Sequence, residues 1–223
     1  MAEQVSERRE LGEFDYISMR GIGKMFISQG KEQSVVIEGD KVAVSHITTN
    51  VTDGKLVIDI GRDWVEKISA GFDFISNNDI RINITLKDIK ELEVAGAADI
   101  ETGEIKTDAL YLKLVGASNL KVSGLKANSL KTEIPGAGKV QVEGKVKDQS
   151  VTLAGAGNFS GHKLESETAK VVLSGVGSAQ LWVKKELDVT IAGVGSVEYY
   201  GSPTIKQSIA MLGKITSLGE PKD

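Results

Sequence analysis

Apolar residues alternate with polar ones in short bursts along most of the chain. Leu92 and Val94, Leu112 and Leu114, Val171 and Leu173, Val189 and Ile191, and Ile209 and Met211 are pairs spaced by one residue, each ending two residues before a glycine. Beyond the glycines the alternation resumes at Leu120 and Val122, Val140 and Val142, Ala179 and Leu181, and Val197 and Tyr199. Successive side chains of an extended chain point to opposite faces, so each burst predicts a strand with one face turned inward.

The glycines set the phase. Gly96, Gly116, Gly136, Gly155, Gly175, Gly193 and Gly213 stand 20, 20, 19, 20, 18 and 20 residues apart. A repeat of that length marks a stacked architecture with one supersecondary unit per coil. The flanking residues repeat as well, and a second glycine follows at Gly138, Gly157, Gly177 and Gly195. Reversing the chain between two sheets demands backbone angles that a side chain obstructs, and the middle Ala or Val of each Gly-x-Gly is expected to fill the narrow interior. Gly103, Gly124, Gly144 and Gly161 predict a second corner in each coil. The fold expected is an all-β solenoid of seven coils, roughly 35 Å long at about 4.8 Å per coil.

The N-terminal part follows the rule less regularly. Ile17, Met19, Met25 and Ile27 flank a corner at Gly21-Ile22-Gly23, which predicts a capping coil. Strands are predicted at 35–38, 42–45, 55–60 and 80–86, with Asp53-Gly54 as a hairpin turn. Residues 1–86 then form an N-terminal β portion with capping coils, and residues 87–223 the regular repeats, in one continuous fold. The segment 61–79 breaks the pattern and carries Trp64, Phe72 and Phe74. It reads either as a flap over an open sheet edge or as a partner contact.

Composition narrows the function. The net charge of −4 is small, and lysines such as Lys113, Lys121, Lys126, Lys139 and Lys145 stand singly rather than in an aromatic-interleaved strip, which weighs against nucleic acid. With no cysteine there is no disulfide, thiol nucleophile or thiolate metal site, a usage that fits a reducing cytosol or a bacterial envelope. The polar start, Met1 to Glu10, lacks the apolar core of a signal peptide, so export requires a leader outside this sequence. No stretch is apolar and long enough for a transmembrane helix.

Reactive constellations are scarce. Phosphate-binding Gly-x-Gly loops open a helix, whereas a strand follows every Gly-x-Gly here. Calcium-binding repeats need an acid in phase, but the series runs Asp99, Asn119, Lys139, Asn158, Ser178, Ser196. His46 and His162 stand far apart and outside zinc-ligand spacing. Ser45 and His46, with Asp53 or Asp59 nearby, hold the residue types of a catalytic triad, but as neighbours on a strand they are expected to face apart. Acids at Asp53, Asp59, Asp63, Glu66, Asp73 and Asp79 gather around the irregular segment and read as a solvated edge or as the pair a glycosidase needs. No catalytic, metal or cofactor residues emerge, and no cofactor is expected.

The corner series, together with Ile37-Glu38-Gly39-Asp40, Asp53-Gly54-Lys55-Leu56-Val57-Ile58 and Tyr199-Tyr200-Gly201-Ser202-Pro203, resembles the head GIN domain family of auto-transporter adhesins, a domain of unknown function. The resemblance runs from about Phe14 to Leu218. It implies a right-handed β-helix, no catalytic residues, and a bacterial envelope or extracellular location, with the cytoplasm left open. The function expected is a non-catalytic adhesin or binding scaffold that forms a homo-oligomer and holds a surface glycan or protein. The alternative is a carbohydrate-binding or polysaccharide-cleaving β-helix domain. Trp64, Phe72, Phe74, Trp182, Tyr199 and Tyr200 are the candidate interaction surface.

Overall fold

A computed structural model describes residues 3–61, 80–210 and 212–221. In chain order the elements are β1 (Gln4–Arg9), β2 (Tyr16–Gln29), β3 (Ser34–Asp40), α1 (Lys41–Ser45), β4 (Ile47–Thr52), β5 (Lys55–Ile60) and β6 (Arg81–Leu86). They continue as β7 (Glu91–Thr102), β8 (Ile105–Lys106), β9 (Ala109–Leu114), β10 (Asn119–Lys126), β11 (Ser129–Ile134), β12 (Lys139–Lys145) and β13 (Asp148–Leu153). The last are β14 (Ala156–Leu173), β15 (Val176–Ile191), β16 (Val194–Tyr200), β17 (Thr204–Ile209) and β18 (Gly213–Ser217).

From β7 onward the chain winds as a β-solenoid of about 6 turns with roughly 20-residue coils. Three faces result, each a ladder of parallel strands. The first runs through the opening half of β7, then β9, β11, β13, the closing halves of β14 and β15, and β17. The second runs through the closing half of β7, then β10, β12, the opening halves of β14 and β15, β16 and β18. The third is narrow, running from β8 through the ends of β10 and β12 to the middle of β14, the middle of β15 and the end of β16.

In-register pairing turns the period-two pattern into columns of core residues. On the second face Ile100, Leu120, Val140, Phe159, Ala179 and Val197 stack one above another, each buried. On the first face Ile134, Leu153, Leu173 and Ile191 do the same. These columns form one continuous aliphatic core, the main favourable term of the fold at about 25 cal/mol per Å² of apolar surface buried.

The corners explain the glycines. In the first glycine column a Cβ on Gly96 would lie 1.8 Å from the Gly21 carbonyl oxygen, and one on Gly175 or Gly193 would lie 2.0 or 1.9 Å from the oxygen of Gly155 or Gly175. Gly116, Gly136 and Gly155 are crowded in the same way, so the rungs can stack at sheet spacing only if this column lacks side chains. In the second column Gly138 and Gly157 face the interior of the corner, where Ala98 and Ser118 stand buried in the first coils, whereas a Cβ on Gly177 or Gly195 would lie 1.9 Å from the oxygen of Gly157 or Gly177.

Three expectations are corrected here. The middle residues, Ala97, Ala117, Ala137, Ala156, Val176 and Val194, point outward rather than filling the interior, because a strand's period of two sends the residue between two inward positions to solvent. Gly213 pairs with Gly195 and not with Gly193, so it belongs to the second column. Residues 42–45 lie in α1 rather than a strand, because the Asp40 carboxylate caps it, accepting from the backbone N–H groups of Val42 and Ala43 at 2.9 and 3.4 Å.

The N-terminal elements close one end. One edge of β2 pairs with β7, placing Gly21 beside Gly96 and Gly23 beside Ala98. Its other edge pairs with β5 and then β6. On these, β4, β3 and β1 add antiparallel strands. The β4–β5 hairpin turns at Asp53 and Gly54, with φ of +50° and +74°, the left-handed pair that a two-residue loop requires.

Candidate functional site

A strand that buries residue i presents i−1 and i+1 outward, and in-register stacking turns those positions into two walls along the solenoid axis. On the first face they enclose a groove of about 530 Å³ over five rungs. Its walls meet rung by rung as Ser129 and Lys131, Asp148 and Ser150, Thr168 and Lys170, Glu186 and Asp188, and Thr204 and Lys206. Rungs carrying a hydroxyl and a lysine thus alternate with rungs carrying carboxylates. Thr168 donates to the Asp148 carboxylate at 2.5 Å, whereas Lys170, Glu186, Asp188 and Lys206 are exposed and form no ion pair among the described residues. The sequence reading missed these residues, because each is an isolated charge until the chain is folded at its own period. Comparing positions about twenty apart was the signal that could have found them.

Toward the N-terminal end the first face is a closed network. Glu93 lies 3.0 Å from Lys113 and 3.4 Å from Lys55, and Lys55 also meets Glu91 at 2.9 Å. The hydrogen bond from Lys113 holds the Glu93 carboxyl below its usual range. The Tyr111 hydroxyl donates to Glu133 at 2.7 Å, and burial followed by that bond pushes its pKa well above the ordinary phenol value. These charges satisfy one another and leave little to offer a ligand.

The aromatic candidates separate. Trp182 and Tyr200 are register partners on adjacent rungs, both half-buried on the outer surface. Tyr199 instead packs partly buried against the core, because it stacks on Leu181 at an inward position. The Trp182 ring has Lys184 Nζ 5.8 Å from its centre, and Lys184 in turn bonds Glu165 at 2.8 Å. Trp64, Phe72 and Phe74, with Asp63, Glu66, Asp73 and Asp79, lie outside the described residues.

Ser45 and His46 do not sit on a strand, being at the end of α1 and its cap, and Ser45 Oγ comes 3.4 Å from His46 Nδ1. The hydroxyl donates to the Val42 carbonyl at 2.7 Å and the ring nitrogen approaches that same oxygen at 2.7 Å, so local bonds orient both groups. His162 Nδ1 meets Ser160 Oγ at 2.9 Å. Among the described residues no group of three His, Cys, Asp or Glu side chains is arranged to hold a metal ion, and no helix is long and apolar enough to cross a membrane.

A solenoid with glycine corners and grooved polar faces is a repeat-built all-β scaffold. Residues 13–203 match the family described as Putative auto-transporter adhesin, head GIN domain, and the chain belongs to that family. It is similar in structure to a putative adhesin from Bacteroides fragilis NCTC 9343, with a TM-score of 0.87 and 22% identity over 97% of each chain. It is also similar to a protein described as a putative lipid binding protein from Parabacteroides distasonis ATCC 8503, with a TM-score of 0.74 and 19% identity over 96% of each chain. A putative adhesin from that organism gives 0.71 and 16% identity, covering 97% of this chain and 98% of the other. No curated protein sequence matches the chain.

Proposed function

We propose that this chain is a non-catalytic binding scaffold of the bacterial cell surface or envelope, holding a surface glycan or protein along the groove of its first face. The observation that supports this is the five-rung groove itself, where rigid strands hold hydroxyls, ammonium groups and carboxylates at a fixed rise of about 4.8 Å. Such a row suits an extended polymer running along the axis, each unit meeting one rung. The Trp182 and Tyr200 pair offers a second, flatter contact. Self-association belongs to the same reading.

The test is binding of the whole chain to immobilised glycans and to bacterial surfaces, compared with a Lys170→Ala, Glu186→Ala double variant. Binding reduced at least tenfold by that variant supports the groove; binding unchanged by it removes the groove from the proposal.

A second reading has one observation in its favour. Glu186 and Asp188 flank the floor residue Leu187 on one face of the strand, two positions apart and so about 6.6 Å apart along the backbone. Inverting glycosidases set two carboxyl groups about 6.5–9.5 Å apart. Release of reducing ends from a polysaccharide, abolished by both Glu186→Gln and Asp188→Asn, would make the groove an active site.

A further inference from the structure

Several outward charges on this solenoid are arranged so that opposite signs meet. Lys113 stands between Glu93 and Glu133 in the ladder of the first face, and Lys145 bonds Glu165 at 2.7 Å. The third face departs from this. Lys106, Lys126 and Lys145, well separated in sequence, are register partners on three consecutive rungs. Like charges directly opposite one another weaken a sheet, so this column costs stability in the unliganded chain. Glu165 compensates Lys145, but Lys106 and Lys126 have no carboxylate partner among the described residues.

Lys106 and Lys126, but not Lys145, line a cavity of about 650 Å³, joined by Lys31, Lys87 and Glu104. Lys87 is engaged by Glu13 at 2.5 Å, and Lys31 forms no ion pair among the described residues. Gln29 makes the cradle rigid. Its amide nitrogen donates to the carbonyls of Lys87 and Lys106, both at 2.9 Å, and its oxygen accepts the Lys106 backbone N–H at 2.8 Å. One side chain therefore ties together two of the lysine-bearing segments.

We infer that this cavity is an anion-binding site for a phosphate-bearing ligand with more than one negative charge. Lys31, Lys106 and Lys126, which form no ion pair among the described residues, line the cavity with one carboxylate in a protein whose overall charge is −4, so the local field opposes the global one. Lysine acts as a point charge, and no arginine fork is present to select a planar carboxylate, which favours a tetrahedral, multiply charged oxyanion. The volume is that of a small-ligand site. The carrier of the phosphate is either a soluble ester, as on a glycan, or a lipid headgroup. The site lies on the third face, apart from the groove, and stands or fails independently of the reading proposed for it.

Calorimetric titration of the whole chain with inorganic tripolyphosphate at low salt tests the site. Binding is expected, weakened at least tenfold by Lys106→Ala with Lys126→Ala, unchanged by Lys170→Ala in the groove, and falling as salt rises. Without ligand, Lys126→Gln is expected to raise the unfolding midpoint, whereas tripolyphosphate is expected to raise the midpoint of the unaltered chain more than that of the Lys106→Ala, Lys126→Ala variant. No binding at about 1 mM tripolyphosphate, a dissociation constant too weak for a built site, overturns the inference, as does binding lost in Lys170→Ala but kept in the double variant. Co-sedimentation with phosphatidylcholine vesicles containing phosphatidylinositol phosphate would assign the phosphate to a lipid headgroup, and binding to the soluble anion alone would assign it to a soluble ester.

Discussion

Gly116 lies against Gly96 one coil below, so closely that a Cβ on Gly116 would come 1.8 Å from the Gly96 carbonyl oxygen. The contact is backbone on backbone and cannot be relieved by a rotamer change. Gly116→Ala is therefore expected to force the rungs apart and to destabilise by more than about 3 kcal/mol, at or beyond the upper end of ordinary overpacking. Gly103, whose added Cβ would meet nothing within 4 Å, is the control, and Gly103→Ala should change stability by no more than about 0.5 kcal/mol. Urea unfolding of both variants, followed by circular dichroism, checks the difference.

Ser118 shows how the second column tolerates a side chain. It is 1% exposed, its Oγ accepts from the Ala98 N–H at 3.1 Å and donates to the Gly96 carbonyl at 3.2 Å. The hydroxyl supplies to the corner the bonds that a bare glycine would leave unmade. Ser118→Ala should cost about 1–3 kcal/mol, the penalty for a buried donor left without a partner. A midpoint equal to that of the unaltered chain would show that the backbone finds another acceptor.

The coil length and the first glycine column were legible because stacking imposes one condition, the absence of a Cβ, on the same position of every rung, and Gly96 through Gly193 satisfy it. The inward columns were legible for a similar reason, since Leu120, Val140 and Phe159 alternate with polar neighbours. The frame of the last coil was not, because Gly213 is spaced from both Gly193 and Gly195 at plausible repeat lengths and only strand pairing chooses between them. Nor was α1, because Val42 and Val44 alternate as a strand would while the Asp40 cap acts through a contact outside that pattern. The groove and the lysine column were hidden for a third reason. Their residues are adjacent only across rungs, where sequence separation is about a full coil and no local motif forms.

Gln149 is a polar residue in an aliphatic column, 3% exposed between Leu130 and Ala169. Its amide nitrogen donates to Ser166 Oγ at 2.7 Å, but its amide oxygen is buried without a hydrogen-bond partner. Ser166 still donates to the Trp182 carbonyl at 2.9 Å when Gln149 is removed. Replacing the amide by an apolar group of similar size removes an unmade bond, so Gln149→Leu is expected to raise stability by about 1 kcal/mol. Thermal unfolding measures it, and a loss of stability would mean that the amide oxygen is satisfied in solution by a bound water.

Charge networks on the first and third faces fix how stability responds to pH. Glu93 is held below the ordinary carboxyl pKa of 4.5 chiefly by its hydrogen bond to Lys113, Glu133 by Lys131 and then Tyr111, and Glu165 by Lys145 and then Lys184. A depressed folded value means that the folded chain releases these protons more readily than the unfolded one. Their contribution is therefore present above the unfolded value and is lost as pH falls through the lower folded values. The side chains are 25%, 29% and 18% exposed, so each contributes at most about 1 kcal/mol after solvent screening. Tyr111 acts at the other end. Its folded value is raised above 10.0, first by burial and then by Glu133, so stability is retained below that point and declines as pH climbs past it. Urea midpoints measured from about pH 3 to about pH 11 should form a plateau with two falling limbs. Glu93→Gln should remove its share of the acid limb, whereas Tyr111→Phe should shrink the alkaline limb and, by taking a hydrogen bond from Glu133, part of the acid limb as well; an acid limb unchanged in Glu93→Gln would place the titrating carboxyls elsewhere on the solenoid.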